Sequence, residues 1–532
     1  MIKYILPRYN ILALLAAVAL LSSCHKNLDL QPTNANTSER QYGTVAGYKQ
    51  VLAKVYGAYS LVSSTGVGNS DVNIPGITDA GTTDFVRAYW NLQELTTDNA
   101  VCAWNDANLQ AFHNINWTSS NVLINALYGR SLYQITVCNE FIRESSDDKI
   151  AARGFKDADA TTIKQFRAEA RFLRAYQYWV LMDLFGNPPF VTEADPIGKY
   201  IPKQIKRADL FTCVESELKA IDGELVSARH NEYARADQGA AWALLARLYL
   251  NAKVYTGTDH NTDAITYASK VIGAGYTLKT SYKTLFMSDN NQNNPEVILP
   301  IAYDAINSQN YGGTTFLVCS AHATTPTDNQ AFAIPGGGWL GNRSTKNLPL
   351  AFGDYSGNSD KRALFGPGNL EVNDVLIFND GLGVYKFNNK TSGGATPPSP
   401  NGVLCSIDFP LFRLAEMYLV YAEATVRGGA GNMGTALQYI NALRARGYEN
   451  NSGNVTTLSL QDVLNERQRE LYWEGFRRTD LIRFGMFTGG TYLWPWKGGV
   501  RDGRSVDAHF NLFPLPAAET IANPNLVQNP NY

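Results

Sequence analysis

Between Lys164 and Phe185, the residues Phe166, Ala170, Leu173, Tyr176, Val180 and Leu184 recur at steps of three and four. That spacing lines one face of an α-helix. "GNPP", Gly186 to Pro189, cuts the run off, because neither residue type continues a helix. The same logic returns in pairs. Ala241, Leu244, Leu245, Leu248 and Tyr249 line one stripe; after the break "TGTDHNT", Ala264, Ile265, Ala268 and Ile272 line a second. Another pair is expected over 411–445, in "LFRLAEMYLVYAEATVRGG" and then "ALQYINALRAR". Small residues between large ones in two linked helices suggest a tetratricopeptide-like hairpin. The pairs stand much further apart than the roughly 34 residues of such an array. A mostly α-helical scaffold with long irregular insertions and a few short strands is therefore expected, not a regular solenoid.

The principal insertion spans 286–405, rich in Asn, Gly, Pro and Ser, with β-prone runs such as "EVILPIAY" and "DVLIFND". Loops on a rigid scaffold are where binding residues concentrate. A helical body is expected over 41–285, with binding loops near its N-terminal end, and a C-terminal helical region over 406–532. Its proline-punctuated tail, "LFPLPAAETIANPNLVQNPNY", is expected to lie along the surface of the body.

The first residues carry a separate message. Lys3 and Arg8 precede an apolar run from Ile11 to Leu21, too short for a bilayer, which needs about 20 apolar residues. Ser22 and Ser23 then lead to Cys24. "LSSC" resembles the lipobox of bacterial lipoproteins, which implies cleavage after residue 23, diacylglycerol on Cys24 and a polar tether over 24–40. Acyl chains add about 0.8 kcal/mol per buried methylene, so a multiply acylated terminus holds firmly to a membrane. With a formal net charge of −2, nothing argues for nucleic acid as a partner. Cys102, Cys138, Cys213, Cys319 and Cys405 lack metal-binding spacing. They read as structural residues, with any disulfide open.

Catalytic signatures are sparse. No GxSxG elbow occurs, the histidines show no paired spacing, and the glycine runs lack the lysine of a P-loop. Glu466, Glu470 and Glu474 stand four apart and would share one helix face. Glycosidases need two carboxyl groups on opposite sides of the scissile bond. Arg467, Arg469, Arg477 and Arg478 would also hold these acids ionised. A structural ion network, with Glu470, Arg477 and Asp480 as internal partners, is the stronger reading.

Sugar binding makes a different demand, for exposed aromatic faces flanked by amide, carboxylate and guanidinium groups. Trp104 in "CAWND", Tyr311 in "SQNYGGTT" and Trp339 after "GGG" have that company, and Arg87 in "DFVRAYW" offers a bidentate donor.

"RAEARFLRAYQYWVLMDLFGNPPF", "FPLFRLAEMYLVYAEA", "INALRARG", "ERQRELYWEGFRRTDLIRFG" and the C-terminal tail occur in this order after the lipobox. Together they resemble the SusD/RagB family of outer-membrane lipoproteins. "ARLYLNAKVYTG", "QNYGGTTFLVC" and "RFGMFTGGTYLWPWKGG" are similar to its starch-binding member. The resemblance implies a tetratricopeptide-like helical fold, no enzymatic activity, and a lipid-anchored place on the cell surface. It also implies delivery of oligosaccharides to a TonB-dependent transporter of the SusC type. Carried over by local motif, the glycan-binding residues are Arg87, Trp104, Tyr311 and Trp339, with Asp79 and Asn108 matching less well. The starch-binding member has Trp-Ala-Trp where this chain reads Cys102-Ala103-Trp104, which implies an arc one platform shorter. Such an arc suits either weaker α-glucan binding or another glycan or peptide. No cofactor is implied; a structural calcium in the starch-binding member brings Asp289 and Asp408 into view without a full ligand set.

Overall fold

The computed structural model describes residues 37–62, 81–198, 200–334, 336–400 and 402–532. The leader, Cys24, the tether to residue 36, and Asp79 lie outside them. The chain divides into two compact units, 1–50 and 51–532. In the first, the Thr37 hydroxyl accepts the Arg40 N–H and starts a short helix, Ser38–Gln41, and the Tyr42 and Tyr48 rings pack 4.9 Å apart.

The fold is mostly helical: the described residues of both units together hold nineteen α-helices against six strands of two to five residues. The long pattern forms the helix Asp157–Phe185, which buries Phe166, Ala170, Leu173, Tyr176, Val180 and Leu184. It ends at Gly186, whose φ of 75° ordinary residues avoid. It packs against Val122–Glu144, whose first amides are capped by Asn121.

Gln238–Leu250 and Asn261–Gly273 form the expected hairpin, with Ala240, Ala243, Ala246 and Ala268 fully buried, so that the helices approach closely. Asn261–Gly273 then packs on Leu414–Val426, which packs on Met433–Tyr448. The two pairs, distant in sequence, are therefore neighbours in space. The intervening chain leaves one helix and returns to the next.

Several details differ from the sequence reading. "LFR" is not the start of a helix but the end of a buried strand, Phe409–Arg413, antiparallel to Val297–Ile301. "DVLIFND" forms turns, not a strand. The Asp380 carboxylate accepts the amides of Asn373 and Asp374, and Asp374 accepts that of Leu376; such local bonds compete with a ladder. The C-terminal tail is stitched in as well as laid on. Phe513 and Leu515 are fully buried, and the Asn529 amide donates to the carbonyls of Phe185 (2.9 Å) and Phe513 (2.7 Å).

The charged segment is internal. The helix Leu460–Leu471 ends before Glu474, so the three glutamates do not share a helix face as their spacing predicts. They still converge on common partners. Arg413 reaches Glu470 (2.6 Å), Glu474 (2.7 Å) and Glu296 (3.0 Å), while Arg362 reaches Glu466 (2.6 Å) and Glu470 (3.0 Å). Arg446 closes on Glu470, Arg477 pairs with Asp98 (2.7 Å), and Asp480 joins Arg467 (2.8 Å) and Arg483 (2.7 Å). Burial alone would raise the Glu466 carboxyl, but Arg362, Arg469 and Arg444 outweigh it and hold it down at about 2. Acids so held are ion-pair members, not proton donors.

None of the five cysteines in the described residues is bridged, and only Cys213 is not fully buried. Among these residues no helix is long and apolar enough to cross a membrane.

Candidate functional site

A two-stranded antiparallel pairing sets the site. Ala100–Cys102 runs against Asn342–Ser344, with Cys102 opposite Asn342. The pairing extends beyond the strands, since the Ala103 N–H donates to the Gly341 carbonyl at 2.9 Å. Residues just past one strand thus meet residues just before the other, and this brings Trp104 to Trp339.

The Trp104 indole N–H donates to the Trp339 carbonyl at 2.8 Å. The rings lie 6.5 Å apart and tilt by 40°, each half-buried. Behind them the Trp104 ring leans over Gly341. A Cβ there would come within 2.6 Å of the indole, so only glycine fits. Gln110 holds the loop from below, its amide donating to the carbonyls of Trp104 (2.7 Å) and Cys102 (3.2 Å). The buried Arg343 guanidinium donates to the Gly341 carbonyl at 3.2 Å, and burial brings it down to about 10.

Arg87 comes from the helix Phe85–Gln93. Its guanidinium lies 4.6 Å from the Phe316 ring and 5.6 Å from that of Trp104, within cation–π range. Phe316, on the buried helix Gly313–Cys319, backs both groups.

Tyr311 precedes that helix, and Asp84 ties its loop to Arg87's helix. The buried Asp84 carboxylate accepts the N–H of Arg87 (3.0 Å), the N–H of Gly313 (2.8 Å), the Asn310 amide (2.6 Å) and the Tyr303 hydroxyl (3.0 Å). Gly312 passes so near that a Cβ would fall 2.1 Å from that of Asp84. Tyr311 is half-buried, with its own Cβ against Gly81.

Of the residues singled out in the sequence, Arg87, Trp104 and Trp339 are thus gathered, and Tyr311 is linked to them through Asp84. Asn108 plays a different part in this structure. Its side-chain oxygen accepts the Val122 N–H (3.3 Å) and its carbonyl the Asn121 amide (2.9 Å), which joins two helix starts. Cys102 is fully buried and its thiol is pushed up to about 12 by burial. The departure at that position therefore lies in the wall behind Trp104. The two aspartates considered for calcium are engaged by other groups. Asp408 is engaged by Tyr233 and the Tyr303 amide, Asp289 by Ser392, and the described residues hold no cluster of three or more metal-binding side chains.

Asp84, Phe316 and Gln110 were not singled out. Asp84 carries a helix-start signal, an acid immediately before an apolar helical run. Phe316 looks like any core residue of an apolar helix, and Gln110 gives no sequence signal at all.

A family model described as "SusD family" matches residues 364–532, and one described as "Starch-binding associating with outer membrane" matches 42–250. "Starch-binding protein SusD" of Bacteroides thetaiotaomicron is 34% identical, with 100% of this chain and 99% of the relative covered. The chain belongs to the SusD family. Its members are non-catalytic binding proteins, and this one is no enzyme. The fold agrees with that of solved structures. "Surface glycan-binding protein A from Bacteroides thetaiotaomicron in complex with laminarihexaose" superposes with a TM-score of 0.68 at 19% identity, covering 92% of this chain and 100% of that one. A "Laminarin binding SusD-like protein" superposes with a TM-score of 0.67 at 22% identity, covering 92% and 99%. In this chain the site carries paired, tilted indoles beside a guanidinium.

Proposed function

We propose that this SusD-family protein captures starch or related α-glucan oligosaccharides at Trp104, Trp339, Arg87 and Tyr311 and delivers them to a SusC-like TonB-dependent transporter. The observation that carries the reading is the tilted Trp104–Trp339 pair in a chain 34% identical to a starch-binding protein over its whole length. Indole faces accept the C–H surfaces of sugar rings. A 40° tilt follows a curved ligand better than a flat one, and α-linked glucans curve. Arg87 supplies donors for hydroxyls at the edge of the platform. Asp79 and Asn108 belong to the same proposal as further polar contacts, the Asn108 side-chain oxygen being already taken by the Val122 N–H.

The resemblance of "LSSC" to a lipobox supports attachment to the outer membrane through an acylated Cys24, with residues 24–40 as tether. That suits a capture protein, since a tethered binder raises the local concentration of cargo at the transporter mouth.

A second reading keeps the binding role and changes the cargo to another glycan or a peptide. The missing aromatic at Cys102 and the laminarin described for two proteins of the same fold favour it. Calorimetric titration with maltoheptaose and with laminarihexaose discriminates. Preference for maltoheptaose supports the α-glucan reading; preference for laminarihexaose moves the protein to β-glucans; binding of neither removes the α-glucan reading and leaves a different glycan or a peptide as cargo.

A further inference from the structure

The backbone beside the tryptophans carries an unusual residue. Leu340 sits at φ 53°, the left-handed region where a Cβ crowds the following carbonyl and glycine or asparagine is normally found. Its side chain is also 44% exposed. Strain and solvent exposure together are an expensive use of a leucine, and such outliers persist only where neighbours over-determine the backbone.

The neighbours do so here. The Trp339 N–H donates to the Cys319 carbonyl (2.7 Å), that of Leu340 to His322 (3.1 Å), and those of Gly341 and Asn342 to Ser320 (2.9 and 2.7 Å). Each amide from 339 to 342 is bonded, so residue 340 cannot relax without breaking the platform. The same bonds fix where Leu340 stands. The residue before it provides the carbonyl that receives the Trp104 indole N–H, and the residue after it is the glycine over which the Trp104 ring leans. Leu340 is therefore bracketed by the two contacts that seat Trp104.

We infer that Leu340 is a ligand-contacting, specificity-determining residue, an aliphatic surface that extends the Trp104–Trp339 platform and packs on the C–H face of an adjoining glucose ring. The inference rests on the proposed α-glucan reading and adds a residue to it. An aliphatic group presents no hydrogen bonds, so its contribution is to exclude water from one sugar face. It would favour ligands long enough to reach it over short ones.

The test exploits the strain. Leu340→Gly and Leu340→Asn both suit a left-handed backbone and both remove the aliphatic surface. A residue kept for folding would lose thermal stability when cut back. A residue kept for the ligand would lose affinity while the melt stays put or rises. Calorimetry with maltoheptaose is expected to show binding weakened about threefold to tenfold in both variants, in line with burial of part of one leucine. Maltotriose affinity should change less, and the melting temperature should not fall.

Unchanged maltoheptaose affinity in both variants, with binding abolished by Trp104→Ala, overturns the role of Leu340 and leaves the glucan reading standing. A marked fall in melting temperature in both variants also overturns it, since Leu340 is then a structural residue. Absence of maltoheptaose binding by the unaltered protein overturns the glucan reading and this inference together.

Discussion

The indole N–H of Trp104 and the main-chain carbonyl of Trp339 are joined at 2.8 Å across 235 residues of sequence. One tryptophan is thereby positioned by the backbone of the other, and the 40° between their rings is a property of the fold, not of two independent loops.

That bond can be separated from the ring. Trp104→Phe keeps an aromatic face and loses the N–H, so maltoheptaose affinity should fall about threefold to tenfold, the worth of one hydrogen bond. Gly341→Ala keeps both tryptophans but puts a methyl 2.6 Å from the indole. It should weaken binding at least as much and cost about 1–3 kcal/mol of stability through overpacking. Calorimetry and urea unfolding measure the two effects.

Asp84 should matter without touching ligand. Asp84→Ala leaves the Gly313 amide without its acceptor and removes the carboxylate bonds of the Asn310 amide and the Tyr303 hydroxyl, at a cost of about 2–4 kcal/mol. Amide hydrogen exchange should quicken at Gly312 and Gly313 before it does in the helix Asp157–Phe185.

Acid should act through the C-terminal ion network. Arg446, Arg413 and Arg362 overcome burial and hold the Glu470 carboxyl well below its usual range; Arg483, Arg427 and Arg467 hold Glu423 at about 2. Carboxyls depressed on folding stabilise above their ordinary value of 4.5 and lose that contribution as pH falls through their folded values. The part of the urea midpoint that these carboxyls supply should therefore be constant above about pH 4.5 and drop toward about pH 2, and Glu470→Gln should flatten that limb. Glu470→Gln strands buried guanidiniums and should cost about 3–5 kcal/mol, without altering glycan specificity.

Anchoring depends on one residue. Cys24→Ala should move the protein from the membrane fraction to the soluble one, because acyl chains supply the attachment. Retention of the variant in washed membranes would point to another anchor.

Much of the helical scaffold was legible because burial writes itself as a period of three and four, and at 157–185 nothing competes with it. "LFR" and "DVLIFND" were not. A strand buried on both faces has no alternation to distinguish it from a helix start, and carboxylates that satisfy nearby amides turn a β-prone run into turns. At the site, Trp104 and Trp339 stand out as aromatics in polar, glycine-rich loops. Phe316 lies hidden in an apolar helix, and Asp84 gains its role only from Asn310 and Gly313, more than 220 residues away. Asn108 illustrates the converse, a polar residue near Trp104 whose side chain serves a helix start.

The central claim is that Trp104 and Trp339 form a glucan platform, and isothermal titration of maltoheptaose into the protein and into Trp104→Ala tests it most directly. Saturable binding by the unaltered protein is predicted, weakened at least tenfold in the variant, with a nearly unchanged thermal melt because the ring is half-exposed. Equal affinities in the two proteins would contradict the account.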